Sequence, residues 1–160
     1  MLFLTFQLGQ DRYAIEASRV IEVLPLLALK RLPQAPRCVV GIFNLRGRPV
    51  PAIDLNELGF GKPSGERLTT RIIVVRHKDS AGGDQLLGLI AEYVTQTIHK
   101  DRGEFMNSGV AVRDAPYLGP VLMDAQGPIQ LLHTENLVSE PIRQLLFPDG
   151  AAGSVSQVEL

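Results

Sequence analysis

Apolar and polar residues alternate at the start of the chain, which predicts a strand over residues 2–8. Gly9, Gln10 and Asp11 form a turn signal before a second strand at residues 12–15. Residues 16–24 combine helical spacing with β-branched side chains, so we expect a short helical turn around Ala17–Arg19 that leads into a strand. The opening pattern therefore indicates a β-rich protein.

A hairpin is predicted between residues 39 and 55. Two apolar, β-branched runs, 39–45 and 50–55, flank Arg46–Pro49. Gly47 supplies the left-handed backbone that a tight reversal needs. The Asn44 amide lies where it can bond the backbone of the turn.

The second strand of this hairpin carries two further structural residues. Pro49 and Pro51 are two positions apart, so both lack an N–H on the same side of the strand, which places the strand near a sheet edge. Asp54 ends the strand and is expected to cap a helical turn at residues 55–58. All three are therefore assigned a structural role.

The remainder of the chain continues the β pattern with two long polar segments. Residues 59–68 are rich in Gly and Pro and predict a boundary between two halves. Residues 100–116 show no periodicity, and a loop of this length is more often functional or mobile than merely connecting. Strands are predicted at 71–77, 86–90, 93–99, 117–123 and 128–133, and a helix at 139–147.

The two halves resemble each other. Residues 13–20 align with 87–94, and residues 47–58 align with 127–137 with one gap. The similarity suggests one β unit used twice, with a groove where the units meet.

Composition excludes several function classes. The 160 residues are 45% hydrophobic and 21% charged, as is usual for a folded domain, and the net charge is −1. A balanced charge attracts neither nucleic acid nor an anionic membrane over long range. The chain shows no signal peptide and no apolar run of about 18 residues, so a cytoplasmic protein without membrane insertion is expected.

Residues capable of chemistry are scattered. Cys38 lies beside two valines, and such a lone thiol is expected to be buried. His77, His99 and His133 are far apart and lack a second ligand at metal spacing, so each is expected to be structural. Residues 59–62 (Gly-Phe-Gly-Lys) lack the spacing of a phosphate loop and are interpreted as a linker. We therefore expect no enzyme activity, no metal and no cofactor.

Charged residues cluster near the hairpin. Arg37, Arg46 and Arg48 lie around it, and Glu16 and Glu22 lie on the preceding segment. They are either solvated surface charges, whose pairs contribute about 0–1 kcal/mol, or a recognition surface. In the second case Arg46 would hold a carboxylate or carbonyl group of a partner with its planar donors.

The hairpin also carries a family resemblance. Residues 41–55 read Gly-Ile-Phe-Asn-Leu-Arg-Gly-Arg-Pro-Val-Pro-Ala-Ile-Asp-Leu. They closely resemble the signature Gly-x-x-Asn-Leu-Arg-Gly-x-x-x-Pro-x-Ile-Asp-Leu of CheW-like chemosensory coupling proteins. Residues 6–15 resemble the opening hairpin of the family, and Val20-Ile-Glu-Val its next segment. The resemblance covers roughly residues 2–147 and is more specific before Leu68.

The resemblance implies an all-β fold with a few short helices, in which two five-stranded, SH3/OB-like barrels share a hydrophobic core. We expect a domain over residues 1–149, with a first barrel at about 1–66, a second at about 67–138 and a C-terminal helix at about 139–147. Residues 150–160 are expected to form a flexible tail.

The resemblance also implies a function and partners. Members are non-enzymatic adaptors that join a CheA-like histidine kinase to the cytoplasmic tips of methyl-accepting chemoreceptors in arrays at the inner membrane. By that analogy, Val20, Glu22, Asn44 and Arg46 face the receptor. The regulatory domain of the kinase would dock on exposed barrel ends, and weak self-association would extend the array.

The short N-terminus and divergent second half look similar to members from surface-sensing systems that control a diguanylate cyclase. The alternatives are an oligonucleotide-binding barrel, for which 6% aromatic content and balanced charge are unfavourable, and a small-molecule enzyme.

Overall fold

The computed structural model describes residues 1–148, so the predicted tail at 150–160 lies outside the described residues. The described chain is mostly β, with two short α-helices and three single-turn 3₁₀ helices, at Ala17–Arg19, Arg102–Glu104 and Thr134–Asn136. The strands are β1 (Leu2–Leu8), β2 (Asp11–Glu16), β3 (Val20–Pro25), β4 (Val39–Leu45), β5 (Arg48–Asp54), β6 (Arg71–Lys78), β7 (Asp84–His99), β8 (Leu118–Asp124) and β9 (Gly127–Leu132), and the helices are α1 (Leu55–Phe60) and α2 (Glu140–Leu146).

The strands form two five-stranded groups that share β7. Barrel A contains β8, β9, β2, β1 and the second half of β7, and the isolated bridge between Met106 and Val121 closes it. Barrel B contains β4, β5, the first half of β7, β6 and β3, and a single bridge between Lys30 and Ile42 joins β4 to the segment that follows β3. The predicted pair of five-stranded barrels is confirmed.

The barrels are not consecutive halves of the chain. β1 and β2 pair with strands from the second half, and β3, β4 and β5 share a barrel with β6. The division into residues 1–66 and 67–138 therefore differs from the observed strand pairing. The internal repeat revealed two similar units, but pairing between units is a long-range property that local patterns do not encode.

One element was also divided wrongly. The sequence predicts separate strands at 86–90 and 93–99, whereas the structure has the single strand β7. The polar residue Glu92 and the irregular backbone at Tyr93, where φ is 52°, interrupt the alternation of apolar residues without ending the strand. By contrast, the turn predicted at Ala17–Arg19 is present.

The largest core lies between the barrels. It contains Phe6, Ile15, Ile53 and Leu89, and the buried thiol of Cys38 belongs to it as predicted. Smaller clusters fill the barrels, around Phe3, Ile129 and Leu131 in barrel A and around Phe43, Val50 and Ile72 in barrel B. Because most buried apolar surface is shared, burial of that surface stabilises the barrels together.

Candidate functional site

The tip of the β4–β5 hairpin is a two-residue turn. Arg46 and Gly47 both have positive φ, 48° and 87°, which is the backbone of a type I′ turn. The Gly47 N–H donates to Asn44 Oδ1 over 2.6 Å, so the predicted side-chain cap is present. Leu45 pairs with Arg48, and the turn is therefore two residues long rather than the four expected.

The two prolines lie where β5 has a neighbour on one side. Pro49 and Pro51 face Asn44 and Ile42 of β4. On the other side, β5 pairs with β7 only from Ala52 onward within the described chain. The first half of β5 is therefore a sheet edge, as predicted. Because the two prolines lie there, their missing N–H groups cost no hydrogen bond to a neighbouring strand.

Arg46 pairs with Glu22 of β3. Its Nη1 donates to Glu22 Oε2 over 3.3 Å, and its Nη2 donates to Oε1, so the contact is bidentate. The Arg46 side chain is 71% exposed and that of Glu22 is 26% exposed. This hydrogen bond lowers the pKa of Glu22, which keeps the carboxylate charged.

The pair spans an open seam of barrel B. Over residues 1–148, β3 has β6 as its strand partner, and β4 has β5 plus the single Lys30 bridge. The facing edges of β3 and β4 are thus unpaired next to Glu22 and Arg46. A partner that enters this seam meets both charges and free backbone groups.

The four residues predicted to face a receptor do not form one contact cluster. Glu22 and Arg46 bond to each other, and Asn44 bonds into the turn. Val20 is half-buried, pairs with Val75 and packs against the core between the barrels. Their receptor-facing role stays a prediction.

The other charges near the hairpin are placed differently. Arg37 and Arg48 are exposed, and Glu16 pairs with Arg102 of the long loop rather than with the hairpin. Of the two glutamates that the sequence groups with the hairpin, the structure brings Glu22 alone to Arg46.

Asp54 holds the end of the hairpin. Its carboxylate accepts from the N–H groups of Asn56, at 2.9 Å, and Glu57, at 3.3 Å, so it caps α1 as predicted. It also accepts from Ser64 N, at 2.8 Å, and Ser64 Oγ, at 2.7 Å. The bonds to Ser64 hold the following loop against the hairpin. Asp54 and Ser64 are ten residues apart, so the local sequence pattern did not predict these bonds.

The strand that carries Glu22 also exposes two apolar side chains. Ile21 is 38% exposed and Val23 is 36% exposed, both on β3. Sequence reasoning did not select them. The signal was available, since β3 carries apolar residues on both of its faces and a strand at a barrel surface buries only one.

The histidines have the structural environments that were expected. His77 is buried, its Nδ1 lies 2.9 Å from the Lys78 carbonyl oxygen, and its ring stacks on Phe147. His99 is exposed at the end of β7, and His133 is half-buried, 3.9 Å from Glu135. Among residues 1–148, no three His, Cys, Asp or Glu side chains are grouped to hold a metal ion.

Two open clefts accompany these features. One, of about 660 Å³, lies on barrel A between Thr5, Gln96 and Gln126. The other, of about 780 Å³, lies between the loop at 26–37 and the loop at 61–70. Gly59 and Phe60 belong to α1, which ends at Gly61 with a φ of 72°, so the linker predicted at residues 59–62 begins only after the helix. None of the described helices is long and apolar enough to cross a membrane.

The strand pairing defines a class of protein: a double β-barrel whose two barrels share one strand. The chain belongs to the CheW-like domain family, whose pattern matches residues 2–141. The family resemblance drawn from the hairpin is thereby confirmed, and the oligonucleotide-binding alternative is not favoured.

Individual relatives agree. The chain is similar to the chemotaxis protein CheW of Helicobacter pylori, with 36% identity over 97 residues, which is 60% of this chain and 55% of that protein. It is 31% identical over 98 residues to the chemotaxis protein CheW of Treponema pallidum, which is 59% of this chain and 55% of that protein. These matches thus span about half the length of the relatives.

A crystal structure supports the fold. The scaffolding protein TtCheW from Thermoanaerobacter tengcongensis superposes with a TM-score of 0.75 and 25% identity, over 87% of this chain and 89% of that chain.

Proposed function

We propose that this protein is a non-enzymatic adaptor that couples a CheA-like histidine kinase to methyl-accepting chemoreceptors. Membership of the CheW-like family is the observation that carries the proposal. Its relatives named chemotaxis protein CheW and the scaffolding protein of similar structure support it. The domain would comprise residues 1–149, would act without turnover, and would be recruited to receptor arrays at the inner membrane.

We infer that the receptor tip contacts the seam of barrel B. The support is chemical: Glu22 and Arg46 present opposite charges at the surface, and Ile21 and Val23 on the same strand as Glu22 expose apolar side chains. A partner that contacts β3 would therefore meet both charged and apolar groups. Val20 and Asn44 would contribute by shaping the seam, through the core contact and the turn.

The kinase would contact a different surface, through its regulatory domain and the exposed barrel ends. Contacts of modest affinity suffice, since an adaptor held between several partners gains avidity from their multiplicity. Weak self-association would stabilise the array for the same reason, because many weak contacts act together. We infer a pathway of the surface-sensing type from the divergent second half.

A charge-exchange series tests the site. Arg46→Glu and Glu22→Arg each break the internal pair, whereas the double exchange restores it with reversed polarity. Binding of each variant to a receptor cytoplasmic fragment is measured by calorimetry, with Arg48→Glu on the same hairpin as the matched control.

If Arg46 contacts the receptor directly, Arg46→Glu and the double exchange both lose receptor binding, and the control keeps it. If the pair only closes the seam, the double exchange recovers binding and the direct contact is refuted. Unchanged receptor binding by Arg46→Glu would refute the assignment of this seam as the receptor site. Circular dichroism confirms that each variant keeps the fold.

A further inference from the structure

The strand β7 changes barrels at one irregular point. Between the pairing of Gln7 with Glu92 and that of Thr5 with Gln96, β7 carries three residues where β1 carries one. This is a large β-bulge, and Tyr93 within it adopts a φ of 52°. Residues other than glycine rarely take that conformation, and they keep it where surrounding contacts hold them.

The loop at 61–70 supplies those contacts. The guanidinium carbon of Arg67 lies 5.5 Å from the centre of the Tyr93 ring, a cation–π contact. Its Nε donates to Glu92 Oε1 over 3.3 Å. In addition, Val94 N donates to the Thr69 carbonyl oxygen over 3.0 Å. Arg67 therefore touches the two residues at which β7 leaves barrel B.

The same loop is held rigidly. Thr70 is 1% exposed, its Oγ1 accepts from Arg67 N over 3.1 Å and donates to the Gly65 carbonyl oxygen. Thr70 N donates to the Arg67 carbonyl oxygen over 3.0 Å. The backbone of Arg67 is thus fixed, and its side chain reaches the bulge from a stable base.

Burial makes the contact asymmetric. The Glu92 side chain is 10% exposed, whereas that of Arg67 is 59% exposed. When the guanidinium leaves, the nearly buried carboxylate loses its cationic partner, which is unfavourable. Loss of Arg67 should therefore disturb the bulge rather than the loop alone.

We propose that Arg67 is a latch that sets the orientation of the two barrels by fixing the bulge of β7. Among the described strands, β7 is the one that runs through both barrels, so the backbone at Tyr93 determines the direction of one half relative to the other. With Arg67 engaged, a single orientation is held. With Arg67 removed, the bulge relaxes and the orientation of the barrels varies within the limits that the shared core sets. The latch belongs to the fold and does not rest on the partner assignment.

Paired spin labels and amide exchange test the latch. Labels are placed at Arg76→Cys on barrel B and Met123→Cys on barrel A, both exposed, in a Cys38→Ala background. The distance distribution and the exchange rates are compared among wild type, Arg67→Ala and Leu68→Ala. Leu68 is the matched control because it lies in the same loop and is 98% exposed.

We expect Arg67→Ala to broaden the distance distribution and to accelerate exchange of the Val94 amide, which donates to the Thr69 carbonyl oxygen, at least tenfold. The control should match wild type in both measurements. A distribution and exchange pattern for Arg67→Ala equal to wild type would overturn the latch, as would a uniform acceleration across both barrels. Should Arg67→Ala fail to fold, Arg67→Gln, which keeps a polar side chain but lacks the charge and the guanidinium, decides by the same two criteria.

Discussion

Replacing Asp54 with alanine removes four hydrogen bonds at the end of the β4–β5 hairpin. Two come from the first turn of α1, through Asn56 and Glu57, and two come from Ser64. The lost helix cap costs about 1 kcal/mol, and each lost bond to Ser64 costs about 1 kcal/mol because both donors are partly buried. Asp54→Ala should therefore lower the free energy of unfolding by roughly 3 kcal/mol.

Urea denaturation and thermal unfolding measure this loss. For a chain of this size, a change of that magnitude lowers the midpoint of thermal unfolding by about 6–12 °C. Ser64→Ala is the matched control, because it removes one of the four bonds and should cost about 1 kcal/mol. The reasoning is refuted if Asp54→Ala costs no more than Ser64→Ala, since the cap would then contribute nothing.

Two further variants test other contacts. Burial lowers the pKa of His77, so the folded state favours the neutral ring. This contribution to stability is present above the unfolded-state pKa of about 6.5 and is lost as the pH falls below it. His77→Phe should therefore flatten the pH dependence of the urea midpoint between pH 8 and 5, and an unchanged dependence would contradict this. A Cβ at Gly41 would lie 2.2 Å from the Lys30 carbonyl oxygen, so Gly41→Ala should open the bridge to Ile42 at a cost of about 1–3 kcal/mol and speed exchange of the Ile42 amide. Gly103→Ala, with open space around its Cβ, is the neutral control.

Local patterns predicted the local structure well. The two-residue turn of the hairpin, the Asn44 bond to that turn and the Asp54 cap all involve residues within three positions of each other. Turn chemistry and capping depend on such short separations, so they can be read from sequence. The same holds for the buried Cys38, whose neighbours are apolar.

Long-range pairing was not predictable in the same way. Which strand joins which barrel depends on contacts such as Arg12–Ala14 with Ile129–Leu131, more than a hundred residues apart. The partner of Arg46 is of the same kind, because Glu22 lies 24 residues away on a different strand. The sequence placed both charges near the hairpin but could not show that they satisfy each other.

The role of Arg67 could not be predicted from the sequence for a related reason. Arg67 lies in a polar segment rich in Gly and Pro, which the sequence marks as a boundary. Its importance comes from the buried carboxylate of Glu92 and the unusual backbone of Tyr93, and these properties exist only in the folded chain. Glu92 inside an apolar strand was the available signal, since a charge at such a position calls for a partner.

The most direct test of the adaptor account is a three-component pull-down. Purified protein is mixed with a CheA-type kinase and a receptor cytoplasmic fragment, and recovery of the kinase on immobilised receptor is measured for wild type and Arg46→Glu. The account predicts that wild type bridges the two proteins, whereas the variant keeps the kinase and loses the receptor. Wild-type protein that binds neither partner would contradict the proposed function and leave only the fold.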